Sequence, residues 1–165
     1  MKIHQSYEYA TGIPILEIDF KYSTHIFSGL GENFPNLIIL DVTKQPIKFV
    51  ERENFFGLQK LEYLHLFNNE IEFLPEDVFM DLPNLMELNL ENNKIMELPE
   101  KLFMNLRKIE LIIFNDNQIE TLPPNLFANN LKLRQLHTRN NPLKTNDFDF
   151  SAFPNLRLFN RSSTS

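Results

Sequence analysis

The sequence predicts an α/β solenoid, a right-handed superhelix with short parallel strands on its concave face and irregular loops or short helical turns on its convex face. Three observations support this prediction. One apolar pattern recurs every 24 residues along most of the chain. Asparagine, proline and phenylalanine recur in register with that pattern. No single unit is large enough to bury its own apolar side chains, so neighbouring units must stack.

The repeat reads Leu-x-x-Leu-x-Leu-x-x-Asn-x-Ile-x-x-Leu-Pro in its clearest copies, with phenylalanine and leucine further on. Six units can be aligned, and they begin at Ile13, Leu37, Leu61, Leu85, Ile109 and Leu133. The two earliest units lack the asparagine, and the last runs short. We expect the pattern to restart one residue early, at Leu156.

Each unit opens with a segment whose last apolar residues alternate, which is typical of a short strand with one buried face. The asparagine that follows can donate and accept hydrogen bonds. Asparagines stacked one repeat apart can therefore satisfy the backbone groups of neighbouring loops. This predicts a structural ladder made of Asn69, Asn93, Asn117 and Asn141.

The second half of each unit predicts the convex side. Proline fixes φ where the chain turns, at Pro75, Pro99 and Pro123. One phenylalanine recurs at the 24-residue spacing, so the rings are expected to stack as a second column of the core. The members of this column are Phe55, Phe79, Phe103 and Phe127.

The repeats divide the chain into three predicted segments. Residues 1–12 form an N-terminal cap, residues 13–155 form an array of about six repeats, and residues 156–165 form a partial repeat with a polar tail. Repeat arrays need polar terminal caps. The C-terminal end is therefore expected to be weakly covered, and self-association through it is one of the three functional hypotheses.

The composition argues against several kinds of function. The chain has no cysteine, which excludes a disulfide framework, a thiol nucleophile and cysteine-based metal sites. No histidine cluster, no paired carboxylates flanking a cleft and no Gly-x-Ser-x-Gly motif occurs. We therefore expect no enzymatic activity, no cofactor and no metal. No apolar stretch reaches about 18 residues, so no membrane span is expected in this chain.

Charge is distributed unevenly along the chain. The net charge of −6 disfavours nucleic acid as a partner. Residues 1–130 contain 20 acidic and 10 basic residues, a net of −10, and residues 131–165 contain 2 and 6, a net of +4. This gradient either orients a partner with opposite poles or is only a solvated surface with weak ion pairs.

Outward positions of the strands are the places where binding residues are expected. Apolar and aromatic side chains gather there around Tyr63 and Phe67, and exposed apolar clusters tend to mark interaction sites. The alternative is that these rings only pack along the sheet as cross-strand neighbours. The candidate ligand-binding residues are Ile39, Tyr63, His65, Phe67, Glu87, Glu91, Ile113 and Arg139.

His65 stands one repeat after Asp41, so the two side chains are expected to touch. The pair is either pH-sensing, because histidine titrates near neutrality, or an ordinary surface hydrogen bond. A single N-glycosylation sequon begins at Asn160. It is meaningful only if the protein is secreted.

The repeat resembles the leucine-rich repeat family, in the 24-residue class typical of animal extracellular proteins such as Toll-like receptors, small proteoglycans and insect immune proteins. The resemblance covers about residues 13–160. It implies a receptor-like, non-enzymatic solenoid that binds a protein ligand on its concave face, in extracellular recognition or innate immunity. The family's shared residues are structural, so the resemblance does not name the ligand.

The compartment is the least constrained expectation. Extracellular members usually have cysteine-rich caps, and this chain has no cysteine and no apolar N-terminal run that would mark a signal peptide. The chain is then an excerpt of a longer ectodomain, the product of a gene model missing an upstream exon, or an intracellular protein. We expect an extracellular protein, with a cytoplasmic scaffold or regulatory subunit as the alternative.

Overall fold

The computed structural model describes residues 2–7, 13–19, 23–144, 151, 153 and 156–159. Within these residues eight strands form one sheet in chain order. The strands are β1 (Lys2–Tyr7), β2 (Pro14–Asp19), β3 (Ile39–Asp41), β4 (Tyr63–His65), β5 (Glu87–Asn89), β6 (Leu111–Ile113), β7 (Gln135–His137) and β8 (Arg157–Phe159). Two one-turn helices lie on the opposite side, α1 (Leu30–Asn33) and α2 (Arg52–Phe55).

Strands β2 to β8 pair in parallel, each with the next along the chain. From β2 to β7 the register advances by one repeat, so that Ile39 lies beside Tyr63 and Tyr63 beside Glu87. The middle residue of each short strand from β3 to β7 is buried, as Leu64 and Leu88 are. The predicted leucine-rich solenoid is therefore confirmed.

The short final unit departs from the predicted spacing. Leu136 of β7 pairs with Leu158 of β8, an advance of 22 residues. The backbone N–H of Arg157 donates to the carbonyl of Arg134 at 2.7 Å, as Arg134 and Gln135 both do to the carbonyl of Glu110 one unit earlier. The N–H of Leu156 donates to the carbonyl of Phe153 at 3.0 Å, as that of Leu133 does to the carbonyl of Asn130 at 2.9 Å. Leu156 therefore takes the turn position of Leu133, as predicted, and the strand pairing that follows is one residue shorter still.

The N-terminal edge of the parallel strands is covered by β1. This strand runs antiparallel to β2, with Lys2 opposite Asp19 and Tyr7 opposite Pro14. Pairing removes the row of unsatisfied N–H and C=O groups that an edge strand otherwise presents. The boundaries predicted for the cap, the array and the tail stay predictions, since residues 8–12 and 160–165 lie outside the described residues.

Buried asparagines connect each turn of the solenoid to the next. The amide of Asn93 donates to the carbonyls of Leu66 and Leu90, both at 3.0 Å, and its oxygen accepts from the N–H of Ile71 at 3.0 Å. Asn117 and Asn141 repeat these contacts one and two units later. Each side chain thus satisfies polar backbone groups in two adjacent repeats at once.

Phenylalanine rings form a column through the core. Ring centroids lie 6.0 Å apart between Phe55 and Phe79, 6.4 Å between Phe79 and Phe103, and 5.6 Å between Phe103 and Phe127. Phe153 closes the column with an edge-on contact to Phe127 at 6.5 Å. The four stacked rings are fully buried, so the column supplies a continuous apolar contact between turns.

Glycine permits the close approach of the two helices. A Cβ atom on Gly31 would lie only 2.3 Å from the carbonyl oxygen of Phe56, and Gly57 has a left-handed φ of 83°. Larger side chains would push α1 and α2 apart. Neither helix approaches the length needed to cross a bilayer, and the described residues contain no other helix that could.

Candidate binding surface on the strand face

The outward side of the sheet presents rows of equivalent side chains, and we call this surface the strand face. Its first row runs from Ile15 through Ile39, Tyr63 and Glu87 to Leu111, by direct strand register. These positions are half-buried, because each side chain lies against its neighbours in adjacent strands. The row is therefore apolar over its first three members and is then interrupted by a carboxylate.

His65 lies in the second row between two carboxylates. Its Nδ1 is 3.7 Å from Oδ2 of Asp41, and its Nε2 is 3.4 Å from Oε1 of Glu87. The imidazole is 24% exposed, and its ring centroid lies 6.3 Å from that of Phe67. The predicted contact between His65 and Asp41 is thus part of a three-residue cluster that also includes Glu87.

The cluster shifts the protonation equilibria of its members. Interaction with Asp41, and next with Glu87, raises the pKa of His65 from 6.5 to about 9 against the opposing effect of burial. Burial acts to raise the pKa of Asp41, but interactions with His65 and Thr43 outweigh it, so that pKa lies below its usual value. At neutral pH the centre of the strand face therefore holds an imidazolium between two carboxylates.

This cluster predicts a pH-dependent contribution to stability. Because the folded-state pKa of His65 is raised, the stabilisation is complete below pH 6.5 and is lost as the pH rises through about 9. We expect the free energy of unfolding to fall by about 1 kcal/mol across this range, a modest value since all three side chains are partly exposed. Chemical denaturation at a series of pH values measures it.

A His65→Gln variant tests the assignment of that decline. In this variant the free energy of unfolding is expected to change little between pH 6.5 and 9. His137→Gln is the matched control, because His137 stands in the same row and its pKa is lowered, first by burial and then by Arg139. An unchanged decline in His65→Gln would assign it to another group.

A shallow groove of about 270 Å³ opens beside the first row. It is lined by Tyr63 and Leu111 of the first row and by Met86, Glu110 and Arg134. Glu110 and Arg134 approach each other at 3.9 Å. Sequence reasoning missed these last three residues because they precede the alternating part of each unit. These residues each take the second position of their unit, 24 residues apart, and that spacing could have identified them.

The structure brings only some of the predicted binding residues together. Tyr63, His65 and Phe67 share one repeat, and Ile39 and Glu87 flank them in register. Glu91 and Ile113 follow along the face and are half-buried. Arg139 is exposed and stands three repeats after Phe67, about 14 Å away by strand spacing. Asn160 lies outside the described residues.

A family model described as leucine rich repeat matches residues 35–95 and 83–143, well over half of the sequence. The chain belongs to the leucine-rich repeat family. Members of this family generally serve as protein-interaction modules without enzymatic activity. No curated protein sequence matches this leucine-rich repeat chain.

Solved structures share the solenoid. The LRIM1/APL1C complex matches with a TM-score of 0.78 and 21% identity, over 91% of this chain and 33% of that one. The Toll–Spatzle complex of Drosophila matches with a TM-score of 0.72 and 27% identity, over 84% of this chain and 18% of that one. The TLR13–ssRNA13 complex matches with a TM-score of 0.69 and 30% identity, over 78% of this chain and 19% of that one. This leucine-rich repeat chain therefore spans a third or less of each of these three proteins.

Proposed function

We propose that the chain is a non-enzymatic binding module that holds a protein ligand on its strand face, in extracellular recognition of the innate-immune type. The observation that carries the proposal is the half-buried aromatic pair Tyr63 and Phe67 beside the charged cluster of His65. Aromatic anchors next to fixed charges are typical of interface hot spots. Ile39, Glu87, Glu91 and Ile113 surround them, and Arg139 supplies a distant positive charge.

Similarity to the Toll–Spatzle complex, a hub in Drosophila development and innate immunity, supports a protein as the ligand and an immune setting. A nucleic acid is the other ligand named among the neighbours, in the TLR13–ssRNA13 complex. A net charge of −6 disfavours RNA here, because binding RNA requires phosphates to be neutralised by basic residues. The proposal is therefore a protein ligand.

Replacing Tyr63 and Phe67 together by alanine tests the proposal. The double variant is expected to lose capture of the ligand while its thermal unfolding changes little, because both side chains lie on the outside of the sheet. The chain is immobilised, incubated with extracellular fluid of its source organism, and the retained proteins are identified by mass spectrometry. A protein bound by the parent chain and lost from the variant is the expected result.

Leu131→Ala is the matched control, because Leu131 is an exposed apolar residue away from the strands. It should retain every protein that the parent chain retains. If the double variant also retains them all, the ligand does not bind at Tyr63 and Phe67, and the strand-face assignment is wrong.

The second candidate is a cytoplasmic scaffold or regulatory subunit, favoured by the absence of cysteine. The intact mass of the native protein separates the two. A species in the medium that loses mass on deglycosylation supports secretion. An unmodified 19.6 kDa species confined to the cell supports the scaffold.

A further inference from the structure

A second row of apolar side chains lies outside the sheet, on the part of each turn that follows the asparagine ladder. Phe49 and Phe73 occupy equivalent positions one repeat apart and are 52% and 64% exposed. The equivalent position in the next repeat is Glu97, and Met96 beside it is 51% exposed. His25 precedes them and stacks on Phe49, with ring centroids 4.8 Å apart. We call these four residues the aromatic ridge.

The backbone segments that hold the ridge are hydrogen-bonded side by side. His25 and Phe49 form an isolated parallel bridge. The N–H of Glu70 donates to the carbonyl of Ile47 at 2.8 Å, and the N–H of Lys94 donates to the carbonyl of Ile71 at 2.8 Å. Four consecutive turns thus hold the ridge in place, over about 14 Å by the spacing of parallel strands.

The needs of the hydrophobic core do not explain why the ridge side chains are exposed. The core of each turn is completed by other residues, such as Ile71 and Leu74, which are fully buried. Phe49 and Phe73 are each more than half exposed. Single exposed apolar residues are common on protein surfaces, but exposed phenylalanines on neighbouring turns are unusual. Exposed apolar side chains that gather on neighbouring turns and are rimmed by polar groups mark an interaction site.

The ridge runs into a hollow of about 470 Å³. Met96 forms the side nearest the ridge, and Thr121 and Pro142 contribute to its lining together with Glu97 and Glu120. An apolar side chain that extends from a partner along the ridge would find space here. Glu97 places negative charge at the rim of this space, whereas Glu120 is paired with Lys144 at 2.8 Å.

Both acidic and basic side chains lie around the ridge. Glu70 is already satisfied, since it accepts from Lys94 at 2.9 Å and lies 3.8 Å from Lys48. Glu72 and Glu97 are exposed and form no ion pair within the described residues. The pKa of Lys94 is raised first by Glu70 and, to a lesser extent, by Glu72. The rim therefore offers carboxylates to a cationic partner.

We propose that the aromatic ridge is a second binding surface, which docks an amphipathic basic segment of a partner protein. Apolar side chains of the segment lie on Phe49, Phe73 and Met96, and its lysines or arginines face Glu72 and Glu97. A ridge of this length matches a helix of about ten residues. The surface is separate from Tyr63 and Phe67, so it does not depend on the function proposed for the strand face.

The probe for this proposal is a fluorescein-labelled helical peptide of about 14 leucines and lysines, patterned with one apolar face. Anisotropy titration with the parent chain is expected to show binding. A scrambled peptide of the same composition, which has no apolar face, should bind at least about tenfold more weakly. Equal binding of the two peptides would show that the interaction depends on charge alone, and it would overturn the proposal.

Three variants locate the peptide. Phe49→Ser with Phe73→Ser should weaken binding at least about tenfold, as loss of a hot spot does. Glu72→Gln with Glu97→Gln should weaken it about threefold to tenfold and reduce its salt dependence. Tyr63→Ala with Phe67→Ala should leave it within about twofold, while a loss there would place the peptide on the strand face and contradict the ridge.

Sedimentation of the parent chain alone tests the competing occupant, a second copy. A monomer that binds the peptide supports the proposal. A dimer that dissociates on Phe49→Ser with Phe73→Ser would instead assign the ridge to self-association and overturn the basic partner segment. All exposed-site variants are first compared with the parent by thermal unfolding, so that a folding defect is not mistaken for lost binding.

Discussion

Replacing Phe103 by alanine is expected to lower the free energy of unfolding by about 3–5 kcal/mol. The ring is fully buried and stacks on two neighbours, Phe79 at 6.4 Å and Phe127 at 5.6 Å. Its removal loses apolar burial and also leaves a cavity between two turns, which the flanking rings cannot fill without leaving the column. Urea denaturation measures the change.

The adjacent Met104 supplies the matched control. It is 39% exposed, so Met104→Ala is expected to cost less than about 1 kcal/mol. The loss of unfolding free energy in Phe103→Leu should lie between those of the two alanine variants, because leucine keeps most of the buried area but cannot stack on the neighbouring rings. A loss of less than about 1 kcal/mol for Phe103→Ala would mean that the phenylalanine column is not a main source of stability.

The fold could be predicted from the sequence because every turn repeats the same constraint. A leucine that must be buried in one unit has an equivalent 24 residues on, and parallel pairing places the two side by side, as with Leu64 and Leu88. Where a unit changes length, that logic fails. After β7 the turn at Leu156 advances by 23 residues and the strand pairing by 22, a difference that a fixed spacing does not predict.

Polar departures from the pattern were harder to interpret. Asn130 stands where the repeat has leucine, yet it is fully buried and donates to the carbonyls of Phe103 and Leu106, both at 2.9 Å. Asn54 is also buried and donates to the carbonyl of Ile26 at 2.9 Å. Neither role was predicted, because a pattern of apolar positions does not show which backbone carbonyls lack partners.

The candidate surfaces illustrate a similar limit. Alternation along a strand identified Tyr63, His65 and Phe67 as outward residues. It gave no reason to include Glu110, whose position precedes the alternating segment, or Phe73, whose position follows it. The exposure of Phe73 depends on how far the chain turns after the ladder, and that is a property of the stacked loops rather than of one unit.

Replacing Asn93 by alanine is expected to cost about 3 kcal/mol, because it removes one acceptor and two N–H donors from buried backbone. The N–H of Ile71 and the carbonyls of Leu66 and Leu90 all lose this partner, each from a distance of 3.0 Å. Denaturant unfolding measures the loss. Asn129→Ala is the matched control, since Asn129 makes one exposed bond at 3.2 Å to the carbonyl of Met104, and it should cost less than about 1 kcal/mol.

Asn93→Asp separates hydrogen bonding from shape. Aspartate has nearly the same size and can still accept from the N–H of Ile71, but its carboxylate cannot donate to the carbonyls of Leu66 and Leu90. A buried charge facing two carbonyl oxygens is destabilising, so this variant should be at least as unstable as Asn93→Ala. If Asn93→Asp instead retains the parent stability, the ladder acts by filling space, and its donors contribute little to joining one turn to the next.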